Sequence, residues 1–118
     1  MALLNDDFGT FAKYLFALSQ WKISGYVDFS ERSQKWIWAN LECNPELIGE
    51  LMYDQTAAGG KVKRVKERGN PDDYPNEFHD DIILDYQRNR VYVETVFHDH
   101  RDKEWCRIEV VNVHWAKK

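Results

Sequence analysis

Side chains that could move a proton fall near the C-terminal end of the chain, where apolar and polar residues alternate. Glu94 lies in one such segment, and Arg107 and His114 lie in the next. Glutamate and histidine transfer protons as general bases and acids, and arginine stabilises negative charge that develops in a transition state. On adjacent strands of one sheet, these groups would suffice for acid–base cleavage of a phosphodiester. Glu94, Arg107 and His114 are therefore the candidate catalytic residues.

A phosphodiester substrate also needs cations, and a basic segment at residues 61–68 can supply them. Five basic residues surround one acid, Glu67, in this segment. Attraction to phosphates provides much of the affinity of a protein for nucleic acid. We therefore expect Lys63, Arg64 and Lys66 to bind RNA.

An acidic segment follows the basic one directly. Residues 70–85 carry six acidic side chains and no lysine or arginine, so a block of net −6 adjoins a block of net +4. The two blocks could neutralise each other on a solvated face. Alternatively, the acidic segment could bind a basic protein, with Tyr74 as an aromatic anchor. Its contact surface would then be Asp72, Asp73, Tyr74, Glu77, Asp80 and Asp81.

The histidines and cysteines do not form a metal-binding pattern. His98 and His100 are separated by one residue, and no further pair at metal spacing accompanies them. Cys43 and Cys106 form no CxxC pair, which favours a reduced, cytoplasmic setting. We expect no metal, no cofactor and, because no apolar run approaches about 20 residues, no membrane segment.

Three helices are predicted to precede these segments. Apolar residues at helical spacing predict an amphipathic helix over residues 7–20. A second helix is predicted over 29–41, where Asp28 and Glu31 have the spacing of a capping box. A third begins at Asn44-Pro45-Glu46, because Asn suits the N-cap and Pro the first helical position.

The pattern then changes to that of β-strands, which are predicted over 61–67, 79–87, 91–97 and 104–115. In the last strand, Ile108 and Val110 fall on one face, whereas Val111 and Val113 fall on the other, which predicts either a β-bulge or a strand that is buried on both sides. The predicted core consists of Phe8, Phe11, Leu15, Trp36, Leu47, Leu51, Ile82, Leu84, Val91, Val93, Ile108 and Val110.

The order of elements predicts an α+β fold, with N-terminal helices packed on a C-terminal three- to four-stranded antiparallel sheet. The chain has 118 residues, of which 43% are hydrophobic and 14% aromatic, so we expect one folded domain and exclude intrinsic disorder. The helical part is about 1–59 and the sheet part about 60–118. The net charge of −4 arises in the first part, which has four basic and eight acidic residues.

The last two predicted strands resemble those of a toxin family. Val91-Tyr92-Val93-Glu94-Thr95 and the terminal segment 108–116 resemble the small toxin ribonucleases of the RelE-like group, including relatives similar to the MqsR and BrnT toxins. Asp28-Phe29-Ser30-Glu31-Arg32 is similar to a His-x-x-x-Arg helix start of some relatives. The resemblance implies a metal-independent endoribonuclease of a bacterial or phage toxin–antitoxin system. Its catalytic or phosphate-binding roles would fall on Arg32, Lys63, Arg64 and His114.

Three functions stay open on this basis. The first is a toxin-like ribonuclease or RNA-binding domain, with RNA and a cognate antitoxin as partners. The second is an acidic immunity protein, antitoxin or phage-encoded inhibitor that binds a basic protein. The third is an accessory domain without catalysis. The protein would act as a monomer or homodimer.

Overall fold

The computed structural model of the chain describes residues 8–64, 77–99 and 106–116. The helices are α1 (Phe8–Ser19), α2 (Glu31–Leu41) and α3 (Pro45–Ala57). The strands are β1 (Val27–Phe29), β2 (Lys61–Arg64), β3 (Glu77–Tyr86), β4 (Asn89–Asp99) and β5 (Cys106–Trp115). Each predicted helix and strand has a counterpart here, and β1 is the one described element that the sequence pattern did not predict.

The strands form a single sheet in the order β1-β5-β4-β3-β2. Strands β2 to β5 pair antiparallel, whereas β1 pairs with β5 in parallel. The α+β class is confirmed, with helices N-terminal to most of the sheet. The sheet is mixed and five-stranded rather than purely antiparallel, because the chain adds the short strand β1 to its edge between α1 and α2.

The start of α2 differs from the prediction, whereas the start of α3 agrees with it. Ser30, rather than Asp28, caps α2, since its hydroxyl accepts a hydrogen bond from Ser33 N at 3.1 Å. Asp28 instead belongs to β1. The side chain of Asn44 caps α3 by accepting from Glu46 N at 3.0 Å. Short polar side chains thus fix both helix entries.

The core lies between the helices and one face of the sheet. The sheet supplies the predicted residues Ile82, Leu84, Val91, Val93, Ile108 and Val110, all of them buried. From α1, Leu18 and the unpredicted Tyr14 are buried, and Phe11 and Leu15 are partly buried. The side chain of Phe8 lies outside the described residues.

The predicted core of the other two helices is shifted by one position. Ile37 and Ile48 are fully buried, whereas Trp36 and Leu51 are only partly buried. Leu47 is 37% exposed, so its placement in the core was wrong. A run of consecutive apolar residues gives no sharp helical face, and tertiary packing selects which of them is buried.

Of the two alternatives predicted for β5, the structure has the bulge. The ladder between β4 and β5 shifts register between Glu94 and Thr95, which leaves Val111 without an opposed residue. The carbonyl oxygen of Val111 accepts hydrogen bonds from Ser30 Oγ at 3.1 Å and from Arg32 Nη2 at 3.0 Å. The first residues of α2 therefore stabilise the bulge through hydrogen bonds. The bulge in turn determines which face of the sheet carries each side chain at the end of β5.

Candidate active site

The face of the sheet turned away from the helices carries a cluster of polar side chains. Directly opposed residues of neighbouring strands share a face of the sheet. The register puts Asp81, Glu94 and Asn112 in one cross-strand row, and Tyr92 opposite His114 in the next. We call the side that bears these five residues the outer face.

Two of the three predicted catalytic residues contact each other on the outer face. His114 Nε2 lies 3.3 Å from Glu94 Oε2, and Asn112 Nδ2 donates to the same carboxylate oxygen at 2.8 Å. The side chain of His114 is 43% exposed and that of Glu94 is 20% exposed. A solute can therefore reach both groups.

Both nitrogens of the His114 ring face hydrogen-bond acceptors. Nδ1 lies 3.0 Å from the carbonyl oxygen of Trp115, and Nε2 faces the Glu94 carboxylate. The first of these contacts requires a proton on Nδ1, because a carbonyl oxygen can only accept. The ring thus lies, as a group able to transfer protons, 3.3 Å from a carboxylate oxygen.

Tyr92 and Asp81 support the histidine. The Tyr92 ring stacks on the His114 ring with centroids 5.0 Å apart and planes 14° apart. The Tyr92 hydroxyl donates a hydrogen bond to Asp81 Oδ2, and Asp81 is buried. Because the tyrosine is held at its hydroxyl, its ring gives the imidazole a fixed surface to lie against.

Arg107 does not join this pair. It lies opposite His98 on the ladder, and its Nη1 is 3.6 Å from Asp28 Oδ2. Because a strand rises about 3.3 Å per residue, Arg107 is roughly 20 Å along β5 from His114. A second histidine–glutamate pair lies at this far end, where His98 Nε2 is 3.4 Å from Glu109 Oε1.

The predicted RNA-binding residues fall into two groups. The guanidinium of Arg32 bonds the carbonyl of the bulge, although its side chain remains exposed. Lys63 and Arg64 lie in β2, where the backbone of Lys63 is in register with Asp81. The side chains of Lys63 and Arg64, and all of Lys66, lie outside the described residues.

The acidic contact surface proposed for the inhibitor function needs a correction. Asp80 and Asp81 are 0% and 1% exposed, because both lie inside β3, which like the predicted strand 79–87 holds them within the sheet. Alternation directs Asp80 towards the helices and Asp81 towards the outer face, so neither belongs to an exposed loop. The remaining members of that surface are outside the described residues, namely Asp72, Asp73, Tyr74 and the side chain of Glu77.

Among the described residues, no three or more histidine, cysteine or acidic side chains are arranged to hold a metal ion. None of the helices in the described part of the chain is long and apolar enough to span a membrane.

Sequence patterns offered a signal for two of the residues that were missed. Tyr92 alternates with Val91 and Val93, so period two places it on the same face as Glu94. Asn112 comes directly after the bulge residue and two positions before His114, which again gives it the same face. For Asp81, the charge pattern pointed to the surface, whereas the fold buries it.

Comparisons of the chain with protein-family models, with curated proteins and with solved structures found no match.

Proposed function

We propose that the protein is a metal-independent endoribonuclease of the toxin type that acts at the outer face. The observation that carries the proposal is the 3.3 Å contact between His114 Nε2 and Glu94 Oε2 on a part of the sheet that solvent reaches. A general base and a general acid are the minimum that cleavage of RNA needs, since the nucleophile is part of the substrate. The RelE-like resemblance of the last two strands supports the same class.

The reaction assigns one role to each member of the pair. The Glu94 carboxylate takes the proton of a ribose 2′-hydroxyl, and the 2′-oxygen attacks the adjacent phosphorus. The bond from phosphorus to the 5′-oxygen breaks, and the His114 imidazolium gives its proton to that oxygen. The products are a 2′,3′-cyclic phosphate and a free 5′-hydroxyl, so atoms and protons balance without a metal or a cofactor.

Substrate binding must come from cations beside the pair. Position 63 of β2 belongs to the same cross-strand row as Asp81 and Glu94, so the basic segment 61–68 starts next to the site. Lys63, with Lys66 further along the segment, would bind the RNA phosphates in the cytoplasm, whereas position 64 is in register with Asp80 and so belongs to the face turned towards the helices. Asn112 would keep the Glu94 carboxylate in place through its hydrogen bond when the histidine turns to the leaving group.

The experiment measures cleavage of a fluorescently labelled, mixed-sequence RNA by the purified full chain in the presence of EDTA. We expect 2′,3′-cyclic phosphate ends, and a fall in rate of about 10²–10⁴-fold in His114→Gln and in Glu94→Gln. Expression of the native chain should arrest bacterial growth, and the same two substitutions should relieve the arrest.

The far end of the outer face provides a matched control. His98→Gln removes the histidine of the other cross-strand pair with Glu109 and should leave the cleavage rate within about threefold. Circular dichroism would verify that all three variants are folded. The proposal is overturned if the native chain cleaves no RNA, or if His114→Gln and His98→Gln lose activity equally.

A further inference from the structure

Strand β1 is an edge strand of the sheet. Its pairing with β5 determines which of its backbone N–H and C=O groups point away from the sheet. Tyr26 O accepts from Ile108 N at 2.8 Å, and Ser30 N donates to Val110 O at 2.9 Å. Alternate residues of a strand direct their backbone groups to opposite sides. Since Tyr26, Asp28 and Ser30 face β5, the N–H and C=O groups of Val27 and Phe29 point away from the sheet.

Most of these outward groups have no partner within the described part of the chain. The carbonyl of Phe29 accepts a hydrogen bond from Gln34 Nε2 at 2.9 Å. No hydrogen bond to another described residue is seen for the N–H of Phe29, or for the outward N–H and C=O of Val27. Unpaired edge groups of this kind are a template for a further strand.

A groove of about 540 Å³ runs along this edge. Val27 and Phe29 form one side of it, and Trp38 of α2 and Glu46 of α3 contribute to its walls. The edge of β1 therefore lies in a groove whose lining includes the rings of Trp21, Phe29 and Trp38.

We propose that this groove binds an extended segment of a partner protein, which pairs with β1 as a sixth strand. Three residues of β1 span about 10 Å, so three or four residues of the segment would pair. Main-chain hydrogen bonds to Val27 and Phe29 would give affinity, and side chains that meet the groove walls would give specificity.

The charges and rings of the groove indicate a basic segment. Of the residues that line the groove, Asp28 and Glu46 are acidic and Lys22 is basic, so the lining carries a net negative charge. Lys22 Nζ already lies 5.2 Å from the centroid of the Trp21 ring, so one aromatic wall of the groove holds a cation. The Trp38 side chain is 55% exposed and lines the same groove as Glu46, and a ring and a carboxylate in one groove suit an arginine of the incoming segment.

The test screens a bead-displayed library of randomised, N-acetylated and C-amidated heptapeptides against the fluorescently labelled full chain. Selected peptides should be rich in arginine or lysine at one position. Fluorescence anisotropy of the strongest peptide should then show a loss of affinity of about tenfold or more in Trp38→Ala. Trp115→Ala removes another half-exposed tryptophan, on β5, and should leave the affinity unchanged.

Backbone methylation of the selected peptide distinguishes strand pairing from simple adhesion. Two versions of the peptide are made, one with N-methyl groups at the odd-numbered residues and one with them at the even-numbered residues. Only one of these two sets of N–H groups faces β1, so one version should lose binding and the other should bind as before. The proposal is overturned if no basic peptide binds more tightly than about 1 mM, if Trp38→Ala binds equally well, or if both methylated sets bind. None of these results depends on whether the outer face cleaves RNA.

Discussion

The two faces of the sheet both carry polar groups, but they hold them in different ways. On the covered face, the hydroxyl of Tyr14 bonds Thr95 Oγ1 at 3.1 Å, and Thr95 Oγ1 donates to the carbonyl oxygen of Asp80 at 2.7 Å. All three residues are buried, Tyr14 on α1 and the other two in the sheet. On the outer face, the contact between Glu94 and His114 lies where solvent reaches it.

The difference teaches how neighbouring residues of one strand acquire different roles. A polar group on the covered face must be paired inside the protein, because burial without a partner costs several kcal/mol. A pair on the outer face can exchange its partner for a substrate at little cost. Asp80 and Asp81 are adjacent in sequence. The carbonyl oxygen of Asp80 accepts the buried hydrogen bond from Thr95, whereas the carboxylate of Asp81 accepts one from the tyrosine that supports His114.

The difference in packing between the two faces is tested most strongly by truncating two adjacent apolar residues of β3. Leu84 is fully buried on the covered face, and Ile83 is partly exposed on the outer face. Leu84→Ala should lower the free energy of unfolding by about 2–5 kcal/mol, because it leaves a cavity under the helices. Ile83→Ala should cost about 1 kcal/mol. Urea unfolding followed by tryptophan fluorescence measures both, and equal costs would show that the two faces are packed alike.

A smaller effect is expected at the hydroxyl that joins Tyr92 to Asp81. Tyr92→Phe keeps the ring that stacks on His114 but removes a hydrogen bond to a carboxylate that is 1% exposed. The free energy of unfolding should fall by about 1–3 kcal/mol. Because the ring remains, RNA cleavage should change less than in Tyr92→Ala, which removes the stack as well.

Tyr53→Phe on α3 is the matched control for this loss. The Tyr53 side chain is partly buried, and its hydroxyl has no hydrogen bond to another described residue, so its removal should cost less than about 0.5 kcal/mol. If Tyr92→Phe is as stable as Tyr53→Phe, the hydrogen bond to Asp81 does not support the site.

Much of the fold could be predicted because it depends on local patterns. Alternation defined the strands, Asn44 and Pro45 defined the start of α3, and the change of face after Val110 left a bulge as one of two alternatives. Strand β1 could not be predicted in this way. It has three residues, and it exists because β5 provides its hydrogen bonds.

The candidate site was predicted in part for the same reason. Glu94 and His114 meet because period two and the bulge together put them on one face of adjacent strands. Arg107 belongs to the same strand as His114, but the direction and register of β5 place it near Asp28 instead. Residue type predicted the chemistry, whereas only the register could show which of these residues contact each other.

The smallest effect should appear in how the free energy of unfolding depends on pH, through Tyr14 on the covered face. Burial raises the pKa of Tyr14 well above its ordinary value of 10.0, and the nearby Asp80 raises it further. Above pH 10 the unfolded chain loses the Tyr14 proton while the folded chain keeps it, so the unfolded state binds fewer protons and stability falls as pH rises. The slope contributed by Tyr14 approaches about 1.4 kcal/mol per pH unit.

Tyr14→Phe lacks this contribution. The difference in free energy of unfolding between the native chain and this variant should therefore be constant below pH 9, and above pH 10 the native chain should lose stability relative to the variant. Urea unfolding at a series of pH values measures that difference, in which the other titrating groups cancel. A difference that stays constant to pH 11 would mean that the Tyr14 hydroxyl ionises in the folded protein as readily as in the unfolded chain, and the covered face would then be no more closed to water than the outer one.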